Sequence, residues 1–308
     1  SSPYRGAGLA PWQNRGQEVR PVLTVVLGLA GALVYGAADF FAAIASRQVR
    51  VVVVTAVSSI TGLIFLLAVA PILGANFSTD ALFWGLMGGF SSVVALLALY
   101  ASLALGPISI VSPLGALVSA IVPAVIGVVF LGESFSILGW VAIALALIAV
   151  VLVGFVPSEN IPLPKPRAIL LAIVAGVGIG LAITSLARSP HDSGIAPIIV
   201  MRTTAATLLG LIVLIGVLRG QKASATGASI STKVWLTVAG AGALDATANI
   251  LFTLASRTGS LTVTGVLTAL YPLGTILLAR LVLKEHVAGI QKVGIALTLG
   301  ASLLLALA

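Results

Sequence analysis

The chain has 308 residues, of which 59% are hydrophobic and only 8% are charged, and its mean hydropathy is +1.22. A soluble domain carries about 25% charged residues, so this composition excludes an ordinary soluble protein. The formal charge of +8 comes from Lys and Arg spread thinly along the chain, without a dense basic run, which argues against nucleic acid binding.

The first twenty residues, 1–20, are polar and rich in Gly and Arg, and we interpret them as a loose N-terminal tail. Ten apolar stretches follow, each close to the about 20 residues that cross a bilayer. A Pro-rich linker at 157–166 separates five of them, within 21–156, from the other five, within 167–308. We place the spans at 22–44, 51–73, 81–105, 108–131, 137–156, 168–187, 195–218, 234–256, 261–283 and 287–307.

The second half of the chain repeats the first. Residues 100–139 and 252–291 overlay without a gap, so that the FLGES of 130–134 falls on the VLKEH of 282–286. Five crossings per half force the second half to lie upside down relative to the first, which is typical of transporters. The sequence therefore predicts an all-α membrane protein with ten transmembrane helices arranged as two inverted five-helix repeats.

Three segments carry a family resemblance: 104–133, 255–285 and the PIIVMRTTAA of 197–206. Together they resemble the EamA-type ten-helix members of the drug/metabolite transporter superfamily, and the resemblance covers nearly the whole chain after the tail. Members of that family are secondary transporters without cofactors, and many export amino acids or other small metabolites through a central cavity between the halves. The resemblance implies the same fold and activity here.

One departure from the family pattern concerns a basic residue. In the family an Arg commonly lies near the start of the second helix of each half. Arg202 matches this position in the second half, whereas aligning Gly62 with Gly210 places Val54 at the first-half position. Only one half therefore keeps the charge.

Three residues are interpreted as structural. Pro272 in the ninth span has Ala120 at the equivalent position of the fourth span, so we expect the two spans to bend differently. Glu133 and Glu285 end these two spans at the level of water. We expect each carboxylate to be held by the turn into the next helix.

Charged residues inside apolar spans indicate where cargo binds. Each costs at least about 2.5 kcal/mol at the bilayer centre, so it must face the bundle interior, water or a partner. Asp39, Arg202 and Asp245 meet this description. Two interpretations stay open: Asp245 binds an ammonium or polar group with Asp39 as second acceptor or proton carrier, or Asp245 forms a structural ion pair with Arg202. Arg202 is also interpretable as an anchor near the membrane boundary.

Asp245 has a polar neighbour on its own helix. Asn249 lies four residues later and so shares its helical face. The repeat equivalents of the two residues, Val93 and Leu97, are apolar. A substrate without two-fold symmetry needs such a difference between the halves.

A stripe of hydroxyl groups follows the ninth span at intervals of three and four residues. It consists of Thr264, Thr268, Tyr271 and Thr275. Such hydroxyls either line a wet passage or donate hydrogen bonds to the preceding turn and to a neighbouring helix. Tyr35, one turn before Asp39, is a further candidate, with packing as its alternative role.

Several chemistries are excluded by the residues that are absent. The chain has no cysteine, and its two histidines, His191 and His286, lie far apart, so we expect no metal site. It also lacks a Gly-Lys-Ser/Thr phosphate loop and a Ser-His-Asp order. We therefore expect no ATP hydrolysis by this chain and no enzyme, and the family resemblance implies that no cofactor is needed.

The sequence predicts a secondary transporter, most simply an exporter, of a small polar or amphipathic metabolite of the amino acid or amine class, working by alternating access. We expect the protein to lie in the lipid bilayer of the cell membrane. We also expect it to be a monomer, because the two halves are already fused in one chain. The alternatives are a non-transporting scaffold or subunit and, less favoured, an intramembrane lipid-modifying enzyme or a channel.

Two features of the sequence give opposite predictions for the side of the membrane on which the termini lie. Ten spans place both termini on one side, and the family resemblance favours the cytoplasmic side. Lys and Arg, however, are more frequent in the loops of the opposite side, and the positive-inside rule would make that side cytoplasmic.

Overall fold

The structure is a computed structural model that describes residues 21–105, 108–154, 164–224, 229–284 and 288–307. Within these ranges ten helices are long and apolar enough to cross a membrane, which confirms the predicted all-α architecture. The predicted tail 1–20, most of the linker 157–166, and Glu285 lie outside the described residues.

The helices are α1 (Pro21–Ser46), α2 (Val51–Leu73), α3 (Thr79–Leu105), α4 (Ile108–Val125), α5 (Ile137–Gly154), α6 (Pro166–Arg188), α7 (Ala196–Leu218), α8 (Thr232–Thr258), α9 (Leu261–Thr268), α10 (Pro272–Val282) and α11 (Gly289–Leu307). A π-helical turn, Ile126–Phe130, continues α4. The fourth span is α4 with this turn, the ninth span is α9 followed by α10, and α11 is the tenth span. We call the side on which α1 begins face A and the opposite side face B.

Helix packing follows the repeat. The first helix, α1, packs along α8, and α3 packs along α6 in the equivalent way. Equivalent helices of the two halves also meet directly, since α2 contacts α7, α4 contacts α9 and α5 contacts α11. This exchange of partners is what two inverted repeats related by an axis in the membrane plane require.

The outer surface of the bundle is apolar. Ile72 is 83% exposed and Ile137 is 85% exposed, and long aliphatic side chains cover the outward faces of most helices. Such a surface is unstable in water but suits hydrocarbon, where the helices satisfy their own backbone hydrogen bonds. Helix association then depends on close packing, because lipid tails are as apolar as leucine.

The crossing of α1 and α10 shows how this packing is achieved. A Cβ atom on Gly36 would lie 2.6 Å from the backbone nitrogen of Thr275 and 2.7 Å from the Cα of Gly274. The two backbones therefore touch, and the Thr275 hydroxyl donates a hydrogen bond of 3.0 Å to the Gly36 carbonyl. This contact fixes α1 against the ninth span close to Tyr35.

The fourth and ninth spans bend differently, as the sequence predicts. The fourth span keeps Pro123 inside α4 and widens into the π-helical turn. The ninth span tightens before Pro272, where Leu270 and Tyr271 donate backbone hydrogen bonds to residues three positions earlier. Proline has no N–H group to continue the α-helical hydrogen bonds, so Pro272 accounts for the break in the ninth span. The fourth span has Ala120 at the equivalent position and has no break there.

Glu133 lies at face A but has a different partner from the one expected. Its carboxylate accepts hydrogen bonds from the backbone nitrogens of Leu261, at 2.6 Å, and Thr262, at 3.0 Å. The expectation that the turn into α5 holds this side chain is therefore wrong. Free N–H groups at a helix N-terminus attract a carboxylate, and Glu133 satisfies two of them across the seam between the halves.

Both faces carry further connections between loops. At face A, Arg257 donates hydrogen bonds to the carbonyls of Gly194, at 2.8 Å, and Pro190, at 3.3 Å, in the α6–α7 loop. At face B, the backbone nitrogen of Arg50 donates to the carbonyl of Ala223 at 2.9 Å. These contacts hold the loops against the bundle at each end of the seam.

Candidate functional site

A cavity of about 220 Å³ lies along the seam between the two halves. It is lined by residues of α1, α2, α3 and the fourth span from the first half, and by α6, α7, α8 and the ninth span from the second half. The fifth and tenth spans, α5 and α11, pack against each other. The cavity is therefore built from the equivalent four helices of each repeat.

Most of the residues singled out in the sequence meet at this cavity. Two hydroxyl residues of the ninth span are not among those that line it: Thr264, which is buried and donates its hydroxyl to the carbonyl of Ser260 at 3.0 Å, and Thr275, which donates to the carbonyl of Gly36. The candidates that line the cavity are Tyr35, Asp39, Arg202, Asp245, Asn249, Thr268 and Tyr271.

Arg202 and Asp245 form an ion pair that joins α7 to α8 at the cavity wall. The Arg202 side chain is 11% exposed and the Asp245 side chain 20% exposed. The Nε atom of Arg202 is buried and has no hydrogen-bond partner among the described residues. The ion pair that the sequence analysis offered as the structural alternative is thus formed, and both of its members also line the cavity.

Asn249 lies one turn from Asp245 on the same face of α8. Its Nδ2 atom donates a hydrogen bond of 2.8 Å to the backbone carbonyl of Asp245. The bond fixes the side chain against its own helix, because it occupies one of the two amide hydrogens. Asn249 is therefore a polar wall residue with a preset orientation.

Asp39 is the exposed carboxylate of the cavity. Within the described part of the chain, no hydrogen bond or ion pair engages its side chain. A carboxylate in an apolar span is stabilised by water, a proton or a cation. Asp39 thus differs in kind from Asp245, which has its own counterion.

Three aromatic rings form a cluster in the same cavity as Asp39. Tyr35 precedes it by one helical turn on α1, so the two side chains share a face. The ring centroid of Tyr35 lies 5.4 Å from that of Tyr271, edge to face, and 6.1 Å from that of Phe252. We call Tyr35, Phe252 and Tyr271 the aromatic cluster.

The threonines of the ninth span bond to backbone carbonyls. Thr268 donates to the carbonyl of Thr264 at 2.7 Å, and Thr275 donates to Gly36. Thr268 nevertheless lines the cavity, as does Tyr271. Thr264 and Thr275 therefore fit the hydrogen-bonding interpretation, Tyr271 fits the cavity-lining interpretation, and Thr268 fits both.

Sequence reasoning missed a group of hydroxyls in the first half. Single Ser and Thr residues in an apolar span are common, so only their spacing on one helical face could have indicated them. Ser58 illustrates their position, since it donates to the Val238 carbonyl of α8 at 3.2 Å. The hydroxyl residues of α2 and α3 that line the cavity are Thr55, Ser58, Ser59 and Ser92.

Repeat-equivalent residues of the two halves line the same cavity. Val54 of the first half corresponds in the repeat to Arg202 of the second half, and Val93 corresponds to Asp245; all four residues line the cavity. A family model described as the EamA-like transporter family matches residues 22–155 and 166–307, which are the two halves. The chain belongs to the EamA-like transporter family.

This EamA-like protein is therefore a multi-pass membrane transporter of the drug/metabolite type. A protein of known crystal structure is similar to it, with a TM-score of 0.72 and 17% sequence identity, over 91% of this chain and 95% of that chain. At that identity the likeness shows the fold alone. No curated protein matches the sequence.

Proposed function

We propose that this EamA-like protein is a secondary transporter that exports a small polar or amphipathic metabolite of the amino acid or amine class. The observation that carries the proposal is the cavity on the seam between inverted repeats, with three charged side chains in its wall. In inverted-repeat transporters the substrate site lies at the repeat interface near the bilayer midplane.

Alternating access follows from the same geometry. Four helices from each repeat line the cavity, so rocking of one helix group against the other would expose it first to one face and then to the other. The hydrogen bonds of Glu133 to α9 join the halves at face A and would have to break when face A opens. We expect one chain to carry out this cycle as a monomer, because both repeats are fused.

Flux measurements test the proposal. The purified protein is placed in liposomes loaded with radiolabelled amino acids or amines, and efflux is compared with that from protein-free liposomes. We expect saturable efflux of at least one compound. Absence of movement for the whole panel, with protein shown to be folded, would refute transport, and conductance without saturation would indicate a channel.

We also propose that the protein resides in the cell membrane with both termini on the cytoplasmic side. The absence of cysteine makes this easy to measure. Single cysteines at positions 2 and 308 are labelled in intact cells with an impermeant maleimide. Both positions should stay unlabelled until the cells are opened, and labelling of both in intact cells would reverse the orientation.

A further inference from the structure

The charges in the cavity wall do not balance. Among the described residues that line the cavity, the charged groups are the carboxylates of Asp39 and Asp245 and the guanidinium of Arg202. Arg202 and Asp245 neutralise each other as an ion pair. The carboxylate of Asp39 is left without a counterion, so the cavity favours a cation over an anion.

The aromatic cluster lines the same cavity as this carboxylate. Tyr35 shares a helical face with Asp39. The ring centroids of Phe252 and Tyr271 lie 6.1 Å and 5.4 Å from the ring centroid of Tyr35. All four residues line the same cavity. Aromatic faces attract ammonium groups, and this attraction is strongest where water is excluded.

Arg202, in contrast, offers little to a substrate carboxylate. One of its two terminal nitrogens, Nη2, is engaged by Asp245, its Nε atom is buried, and its side chain is only 11% exposed. A carboxylate on the substrate would have to displace Asp245 and would add a further negative charge beside Asp39. Displacing one partner leaves the other charge uncompensated, which is unfavourable in a site of low polarity.

We propose that the cavity selects an organic monocation, an amine with an apolar body, over the amino acid that carries the same body. The apolar body would pack on aliphatic wall residues such as Val54, Leu96 and Leu99. A cavity of about 220 Å³ limits the ligand to a small molecule. This inference rests on the proposed function, since it takes the cavity to be the substrate site, and it narrows the amino acid or amine class to amines.

Equilibrium binding to the full chain in detergent tests the inference with two matched pairs of probes: phenethylamine against L-phenylalanine, and isoamylamine against L-leucine. Each pair shares one side chain and differs by the carboxylate. We expect the amine to bind at least tenfold more tightly than its amino acid in both pairs. Equal or tighter binding of the amino acids, or no binding of either amine to folded protein, would overturn the proposal.

Variants locate the site within the chain. Asp39→Asn should weaken amine binding at least tenfold, because it removes the unmatched charge. The matched control is Asp80→Asn, since Asp80 is exposed in the first turn of α3 and is not part of the cavity wall as described. Unchanged amine affinity in Asp39→Asn, or an equal loss in Asp80→Asn, would contradict the assignment.

A third variant tests the role given to the ion pair. Asp245→Asn releases the guanidinium of Arg202, so the affinity for L-phenylalanine should rise severalfold while phenethylamine binds more weakly. A fall of both affinities by the same factor in folded protein would contradict this role. Stability of the variant is checked first by its thermal transition, and the Asp39→Asn comparison stands independently if Asp245→Asn does not fold.

Binding and flux separate this inference from the proposed function. Protein that binds the amines preferentially but moves none of them across liposomes would refute transport while supporting the selectivity. Protein that exports amino acids and ignores amines would support transport and refute the selectivity.

Discussion

The two halves place equivalent helices against the cavity but supply different chemistry. The second half contributes the ion pair of Arg202 and Asp245, whereas the first half has Val54 and Val93 at the equivalent positions. The first half in turn contributes the carboxylate of Asp39 without a counterion. Helix packing in lipid needs only close-fitting apolar surfaces, which a duplicated sequence supplies. Recognition of an asymmetric substrate needs polar groups that differ between the halves.

The largest difference between the halves is the ion pair, and breaking it should have the largest effect. Asp245→Asn leaves the partly buried guanidinium of Arg202 without its carboxylate, so we expect a loss of about 3 kcal/mol in unfolding free energy. Unfolding in mixed micelles measures it. The double variant Arg202→Gln/Asp245→Asn should recover part of the loss, and a double variant less stable than Asp245→Asn would show that charge compensation is not the cause.

The equivalent glycines Gly62 and Gly210 sharpen the comparison. A Cβ on Gly62 would lie 2.8 Å from the carbonyl oxygen of Gly242, whereas a Cβ on Gly210 would have no atom within 4 Å. Gly62→Ala should therefore cost about 2 kcal/mol through overpacking against rigid backbone. Gly210→Ala should be neutral or slightly stabilising, because alanine favours helix. The thermal unfolding temperatures of both variants measure this difference. Equal unfolding temperatures would contradict the proposed difference in packing.

Glu133 joins the halves, so its replacement should loosen one half from the other. Glu133→Gln keeps the shape but removes the negative charge from the N-terminus of α9, and we expect a loss of about 1 kcal/mol. A single cysteine at Thr262 should then react faster with a soluble maleimide. Unchanged stability and an unchanged labelling rate would show that the bonds to Leu261 and Thr262 contribute nothing.

The smallest effect concerns the loop that joins α6 to α7. Burial and the positive charge of Arg257 lower the pKa of His191 below its usual value, while the equivalent loop of the first half, 47–50, has no histidine. The folded protein thus binds this proton less tightly than the unfolded chain, so stability falls as pH decreases below about 6.5. His191→Gln should reduce the stability lost between about pH 7.5 and about pH 5.5. An identical pH dependence in the variant would exclude this contribution.

Hydropathy and repetition in the sequence were sufficient for the fold. Apolar runs long enough to cross a bilayer must become helices there, so the predicted 51–73 agrees with α2 at Val51–Leu73. The odd number of crossings per half then required an inverted second half. Pro272 also predicted the break in the ninth span, because a proline lacks the backbone N–H group that an α-helix needs, whatever its neighbours in space.

The tertiary structure alone decided which polar groups pair. In the sequence Asp39 and Asp245 are each a single carboxylate in an apolar span, yet Asp245 forms an ion pair with Arg202 and Asp39 does not. Glu133 finds its partners 128 and 129 residues away, at the start of α9. Hydropathy is a property of each segment, whereas an ion pair or a helix cap depends on distances between segments, which exist only once the helices have packed.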